Sequence, residues 1–121
     1  MADGWYEWLR PERRGEPRVP FHYRVDEGGL FAFAGLWDVC KIDGAWVVSA
    51  TLLTTTANEA CAPVHDRMPC VLTSPDAEAA WLEGAETDVL EPLTAARTSA
   101  APANPAVNKA GVEGAELLVS T

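Results

Sequence analysis

The chain has 121 residues, 48% of them hydrophobic and five of them tryptophan, which is enough for one domain with its own core and too few for two. A formal net charge of −9 excludes nucleic-acid binding by bulk charge, because phosphate affinity comes from clustered Lys and Arg. No apolar run is long enough to cross a bilayer, and residues 1–20 hold Arg10, Arg13 and Arg14 where a secretory signal needs an apolar run, so a soluble, cytoplasmic protein is expected.

The basic groups are unevenly placed. Residues 1–25 carry five of the nine (Arg10, Arg13, Arg14, Arg18, Arg24) against four acids, and the rest of the chain carries four against fourteen. Cys40, Cys61 and Cys70 form no CxxC pair and have apolar neighbours, so all three read as reduced core residues.

Residues 2–9 alternate small or charged with aromatic (Trp5, Tyr6, Trp8), the pattern of a strand. Glu7 in its middle is either a solvated strand glutamate or a carboxylate facing a cleft walled by aromatics, where burial raises its pKa. Arg10 to Pro20, with three prolines, Gly15 and four arginines, is a loop. It is either a solvated hairpin tip or a finger that contacts phosphate beside Trp5 and Trp8. Phe21–Val25 and Leu30–Trp37 are expected as a hairpin about Asp26-Glu27-Gly28-Gly29, and 46–56 as a long central strand after the Asp43-Gly44 turn. His22 reads as an ordinary strand histidine.

Ala57–Ala62 allows one helical turn, and Met68–Thr73 reads as a strand. Ser74-Pro75-Asp76 opens a helix, with a serine N-cap, proline at the first position and Asp76 and Glu78 against the dipole; Gly84 ends it. Leu90–Leu93 is expected to pack back on the sheet, 98–105 to be a loop, and Val107-Asn108 and 117–119 to form a last short strand.

Among the chemistry-bearing segments, Ala62-Pro63-Val64-His65-Asp66-Arg67-Met68-Pro69 sets a histidine, a carboxylate and an arginine between two prolines, which makes a stiff turn. Histidine titrates near neutrality, and arginine offers a planar fork for phosphate. His22, His65 and the cysteines have no recognisable metal-ligand spacing, and neither a glycine-rich phosphate loop nor a serine elbow is present, so no metal and no cofactor are expected.

The order of Ala2-Asp3-Gly4-Trp5-Tyr6-Glu7-Trp8, a basic loop, Phe33-Ala34-Gly35-Leu36-Trp37-Asp38, Leu53-Thr54-Thr55-Thr56-Ala57-Asn58, Val64-His65-Asp66-Arg67-Met68-Pro69, the Trp81-Leu82 helix and Val107-Asn108 resembles the SOS-response-associated peptidase (SRAP) family over nearly the whole chain. The resemblance implies an α+β fold, mainly antiparallel β sheet and barrel-like, with one or two short helices. It implies a protein of the SOS response to DNA damage that binds single-stranded DNA and reacts with abasic sites. In the family a self-processed N-terminal cysteine, the feature behind its peptidase and lyase descriptions, condenses with the abasic aldehyde into a DNA–protein crosslink. Glu7 and His65 fall on the family's proton-handling glutamate and histidine, and Trp8 and Arg67 on positions along its DNA channel. Arg10, Arg13 and Arg14 join them as DNA contacts on charge.

The family begins Met-Cys-Gly-Arg, whereas Met1-Ala2-Asp3 enters directly at the aromatic strand. Residues 1–121 are therefore expected to be a single partial SRAP domain, incomplete at its N-terminus, with an exposed sheet edge open to association. Crosslinking by this chain alone is not expected, because none of its cysteines joins an α-amine to a thiol. The alternative is a non-catalytic single-stranded DNA-binding or interaction module that pairs with a chain supplying the missing part.

Overall fold

A computed structural model describes residues 1–84 and 91–118. The strands are β1 (Trp5–Leu9), β2 (Val19–Val25), β3 (Ala32–Phe33), β4 (Gly35–Ile42), β5 (Ala45–Leu52), β6 (Thr54–Thr56), β7 (Arg67–Pro69), β8 (Val71–Leu72) and β9 (Thr98–Pro102), with one α-helix, α1 (Pro75–Leu82). Every pairing is antiparallel. β1, β2 and β9 form a three-stranded sheet in that order, and β3–β8, β4–β5 and β6–β7 are two-stranded ribbons. Among the described residues the strands do not close into a barrel.

Two apolar clusters hold these pieces. Tyr23, Cys61 and Met68 are buried with Trp5, Phe21, Ala57, Val64 and Leu93 against them. Ala34, Cys70 and Leu72 are buried with Ala32, Leu53, Ala77 and Trp81 against them. Trp5 stacks on Tyr23 at 5.2 Å and meets Phe31 and Phe33 edge-on, so β1 and β2 are sealed to β3 by aromatic contacts. α1 forms where the local chemistry dictates. Ser74 Oγ accepts from the Ala77 N–H at 3.2 Å, Pro75 follows it, and Gly84 takes φ +74° beyond the helix end. Trp81 then anchors the helix by donating its indole N–H to the Gly35 carbonyl at 3.1 Å.

Several expectations are corrected. The turn at Asp26–Gly29 does not make a hairpin, because β2 pairs with β1 and β9 on its two sides. Asp26 is clasped toward β9: its N–H donates to the Arg97 carbonyl, and its carboxylate takes two bonds from the Arg97 guanidinium at 2.7 and 2.8 Å. The segment 46–56 is two strands, broken at Leu53, whose N–H bonds the Ala34 carbonyl and whose carbonyl accepts from the Cys70 N–H. β5 is not central, since among the described residues it pairs with β4 alone and all its residues are exposed. Residues 98–102 are a strand, because this small-residue segment fits along the open side of β2. Val107 and Asn108 lie in a 3₁₀ turn, Pro105–Asn108, capped by the Asn104 side chain. Ala115–Leu118 is likewise a 3₁₀ turn, and Val119 lies outside the described residues. Leu93 packs on the first core cluster, while Leu90 lies outside the described residues. Cys40 is exposed on β4, and only Cys61 and Cys70 are core thiols.

Candidate functional site

β1 sorts its side chains by alternation. Its register with β2 pairs Trp5 with Tyr23 and Glu7 with Phe21, so Glu7 shares the core-facing side of the sheet with the buried Tyr23. Tyr6 and Trp8 take the other side, where the Tyr6 ring lies 5.0 Å from His22 and 6.3 Å from Trp8. Asp3-Gly4 enters this strand tightly: a Cβ on Gly4 would meet the His22 ring and the Tyr23 carbonyl, so only glycine fits.

Glu7 is half-buried, and burial raises its carboxyl above the usual carboxylate range, while the charge of His65 pulls it the other way. The same buried side holds two groups that stay protonated. Burial, with Cys61 and Glu7 nearby, pushes Tyr23 up to about 12, and burial beside Glu7 pushes the Cys61 thiol up to about 11. Cys61 is thus no nucleophile at neutral pH.

His65 is delivered by a turn that Asn58 builds. The Asn58 carbonyl accepts from Cys61 and Ala62, and its side-chain Oδ1 accepts from Ala60 and Cys61 at 3.0 Å each. Its Nδ2 donates to the Leu93 carbonyl at 2.7 Å and to Thr98 Oγ1 at 3.0 Å, tying the turn to the chain before β9. The Cys61 carbonyl then takes the Val64 and His65 N–H groups. His65 Nδ1 accepts the Arg67 N–H at 3.1 Å, which leaves Nε2 to carry the proton of the neutral ring. The same nitrogen lies 3.2 Å from the Arg67 carbonyl and 3.4 Å from the Asp66 carboxylate.

A cleft of about 280 Å³ opens at this point, lined by Trp8, Leu9, Arg10, Val64, His65 and Asp66. It gathers Trp8, Arg10 and His65 of the residues singled out from sequence, while Glu7, one residue before Trp8 on β1, is not part of its lining. Arg67 is directed elsewhere: its Nε and one Nη bond Thr54 across the β6–β7 ribbon, with 2.9 Å from Nη2 to Thr54 Oγ1. Arg13 and Arg14 stand exposed on the loop. Trp5 is no stacking platform for DNA, since its ring is consumed by Tyr23, Phe31 and Phe33. Trp8 does not face with Glu7; its indole N–H bonds Asn108 on the opposite side of the sheet. Among the described residues no cluster of His, Cys, Asp and Glu is arranged to hold a metal ion, and no helix is long and apolar enough to cross a membrane.

Two residues that the sequence offered only as parts of family motifs, Asn58 and Asn108, had no role assigned there. The short-range bonds of Asn58 to residues two and three ahead are the Asx-turn habit of asparagine and were open to inference; its bonds to Leu93 and Thr98, and those of Asn108, span the chain and left no local signal.

Residues 1–110 match the family described as SOS response associated peptidase (SRAP). The abasic site processing protein YoqW of Bacillus subtilis (strain 168) is 36% identical over 88 residues, covering 72% of this chain and 38% of its own length. The abasic site processing protein YedK of Escherichia coli (strain K12) is 30% identical over 98% of this chain and 54% of its own length. A crystal structure of a protein from Bacteroides thetaiotaomicron superposes with a TM-score of 0.76 at 20% identity, over 99% of this chain and 55% of that one. Another, from Bordetella bronchiseptica, gives 0.69 at 32% identity over 85% and 52%. The chain thus spans about half or less of the length of these relatives, and with a match running over residues 1–110 it belongs to the SOS response associated peptidase family.

Proposed function

We propose that this chain carries the acid–base and DNA-contacting part of an abasic-site processing domain that acts on single-stranded DNA in the SOS response. The observation that carries this reading is Glu7, a half-buried carboxylate with a raised pKa that feels the charge of His65 beside an open cleft. A carboxyl and an imidazole of this kind suit general acid–base work on an aldehyde, protonating the departing hydroxyl during imine formation and taking a proton back from the attacking water on reversal. Trp8, Arg10 and the exposed Arg13 and Arg14 are proposed DNA contacts, with Arg67 a weaker one because Thr54 occupies part of its fork. The family's cysteine chemistry needs an α-amine and a thiol on one residue, which Cys40, Cys61 and Cys70 do not offer, so the polypeptide 1–121 tested by itself is not expected to crosslink. The free thiols of Cys61 and Cys70 suit a cytoplasmic location.

A second reading, association with another polypeptide, is favoured by the β4–β5 ribbon. By register Trp37, Val39, Trp46, Val48 and Leu52 share one of its faces, with Trp37 74%, Trp46 72% and Val48 69% exposed. An isolated two-stranded ribbon is marginal in water, and an apolar face of this size marks an interaction surface. Polypeptide equivalent to the half of the relatives that this chain does not span is the proposed partner.

Fluorescence anisotropy with an abasic-site oligonucleotide tests the first reading. Single-stranded DNA should bind more tightly than the same sequence as a duplex, and equal affinity for both sinks it. Stable material on a denaturing gel from the 1–121 polypeptide alone contradicts the crosslinking expectation.

A further inference from the structure

Trp8 is a wall shared by two clefts. One is the cleft of His65 and Arg10. The other, about 500 Å³ and open, is lined by Trp8, Pro17, Arg18, Val107 and Asn108. Asn108, at the end of the 3₁₀ turn Pro105–Asn108, uses both halves of its amide here. Its Oδ1 accepts from the Trp8 indole N–H at 2.7 Å, and its Nδ2 donates to the Arg18 carbonyl at 3.1 Å. One side chain thus joins the end of the basic loop to the indole of β1.

Asn108 is exposed, so water could satisfy all these groups and the bonds add little net stability. What they fix is geometry. The N–H edge of the indole is tied, the ring is set at one angle beside an arginine, and Pro17 and Val107 supply apolar walls. A flat aromatic with a cation beside it matches an unpaired nucleobase and its phosphate, and base stacking of this kind is tolerant of sequence.

We propose that the Trp8–Arg18 cleft is a subsite for one unpaired nucleobase of a DNA strand, with Asn108 as the positioning residue that holds Trp8 for stacking and Arg18 for the phosphate. This subsite rests on the proposed DNA function above. Because Trp8 also borders the His65 cleft, the base held here is a neighbour of the nucleotide at Glu7 and His65, and not the lesion itself.

The probe is a twelve-nucleotide thymine strand with one 2-aminopurine, whose emission falls on stacking. The full chain should bind it with quenching. Asn108→Leu keeps every charge, so it should weaken binding by about tenfold, within the span of base–aromatic stacking, and lose the quenching with the salt dependence unchanged. Arg18→Ala should instead lower the log–log salt slope by about 0.7. A urea midpoint for Asn108→Leu equal to that of the parent confirms that the variant is folded. Wild-type affinity and quenching in a folded Asn108→Leu protein overturn the subsite while leaving the DNA function in place; no binding by the parent chain even at low salt overturns the DNA function itself.

Discussion

Replacing Asn58 by alanine removes four side-chain hydrogen bonds at once: two donated to Leu93 and Thr98, two accepted from Ala60 and Cys61. The Cys61 N–H keeps a partner in the Asn58 carbonyl, so its loss is partial. At about 1 kcal/mol net for each part-buried bond, the substitution should cost about 3 kcal/mol, a large fraction of the 5–15 kcal/mol typical of a domain. Urea unfolding followed by fluorescence should show a lower midpoint with an unchanged slope. Asn58→Asp separates the two halves of the amide, because it keeps both accepting bonds and sets a carboxylate oxygen against the Leu93 carbonyl. Its cost relative to the parent should be greater at pH 7 than at pH 4, where protonation of the introduced carboxylate restores one donor. A cost below about 0.5 kcal/mol for Asn58→Ala, the range of ordinary surface changes, would refute the idea that this side chain holds the His65 turn to the chain before β9.

Other outcomes follow from the same geometry. Glu7 has a folded pKa above its unfolded value, so its contribution is intact below the ordinary glutamate range and is lost as pH rises through the folded value; the stability gap between Glu7→Gln and the parent should open in the mutant's favour over that interval, and a pH-independent gap would count against burial of the carboxylate. Gly4→Ala drives a methyl group into the His22 ring and to within 2.6 Å of the Tyr23 carbonyl, which should cost about 1–3 kcal/mol in thermal or urea unfolding; a neutral result would mean that β1 can slide away from β2. The double change Arg13→Ala and Arg14→Ala should lower the log–log salt slope of single-stranded DNA binding by about 1.4, two contacts at about 0.7 each; an unchanged slope would make the loop a solvated tip.

What the sequence revealed and what it hid divide along range of interaction. The helix was legible because Ser74, Pro75 and Gly84 act within one turn of the chain. β1 was legible through the alternation of Trp5, Glu7 and their neighbours, though which side Glu7 takes needed the register with Phe21. The Asp26–Gly29 turn was legible as a turn but not in its direction, which the clasp from Arg97, distant in sequence, decides. β9 was missed because Thr98-Ser99-Ala100-Ala101-Pro102 has little intrinsic strand preference and is a strand by virtue of β2 beside it. The segment after Ala45 looked central because it is rich in Val and Leu, yet Val47, Val48 and Leu52 are exposed and only Leu53, beyond the end of β5, packs on a core cluster among the described residues. Glu7 and His65 were identified through the family's words, and the spacing between them in the chain gave no sign that the charge of His65 acts on Glu7.

The proposed site turns on the influence of His65 on Glu7, and a carboxyl-detected NMR titration of Glu7 in the parent and in His65→Ala measures it. In the parent the Glu7 pKa should lie above the ordinary glutamate value, and in His65→Ala it should rise further, because the positive charge that offsets burial is gone. An ordinary Glu7 pKa in the parent, or the same value with and without His65, would contradict the placement of the two groups in one site.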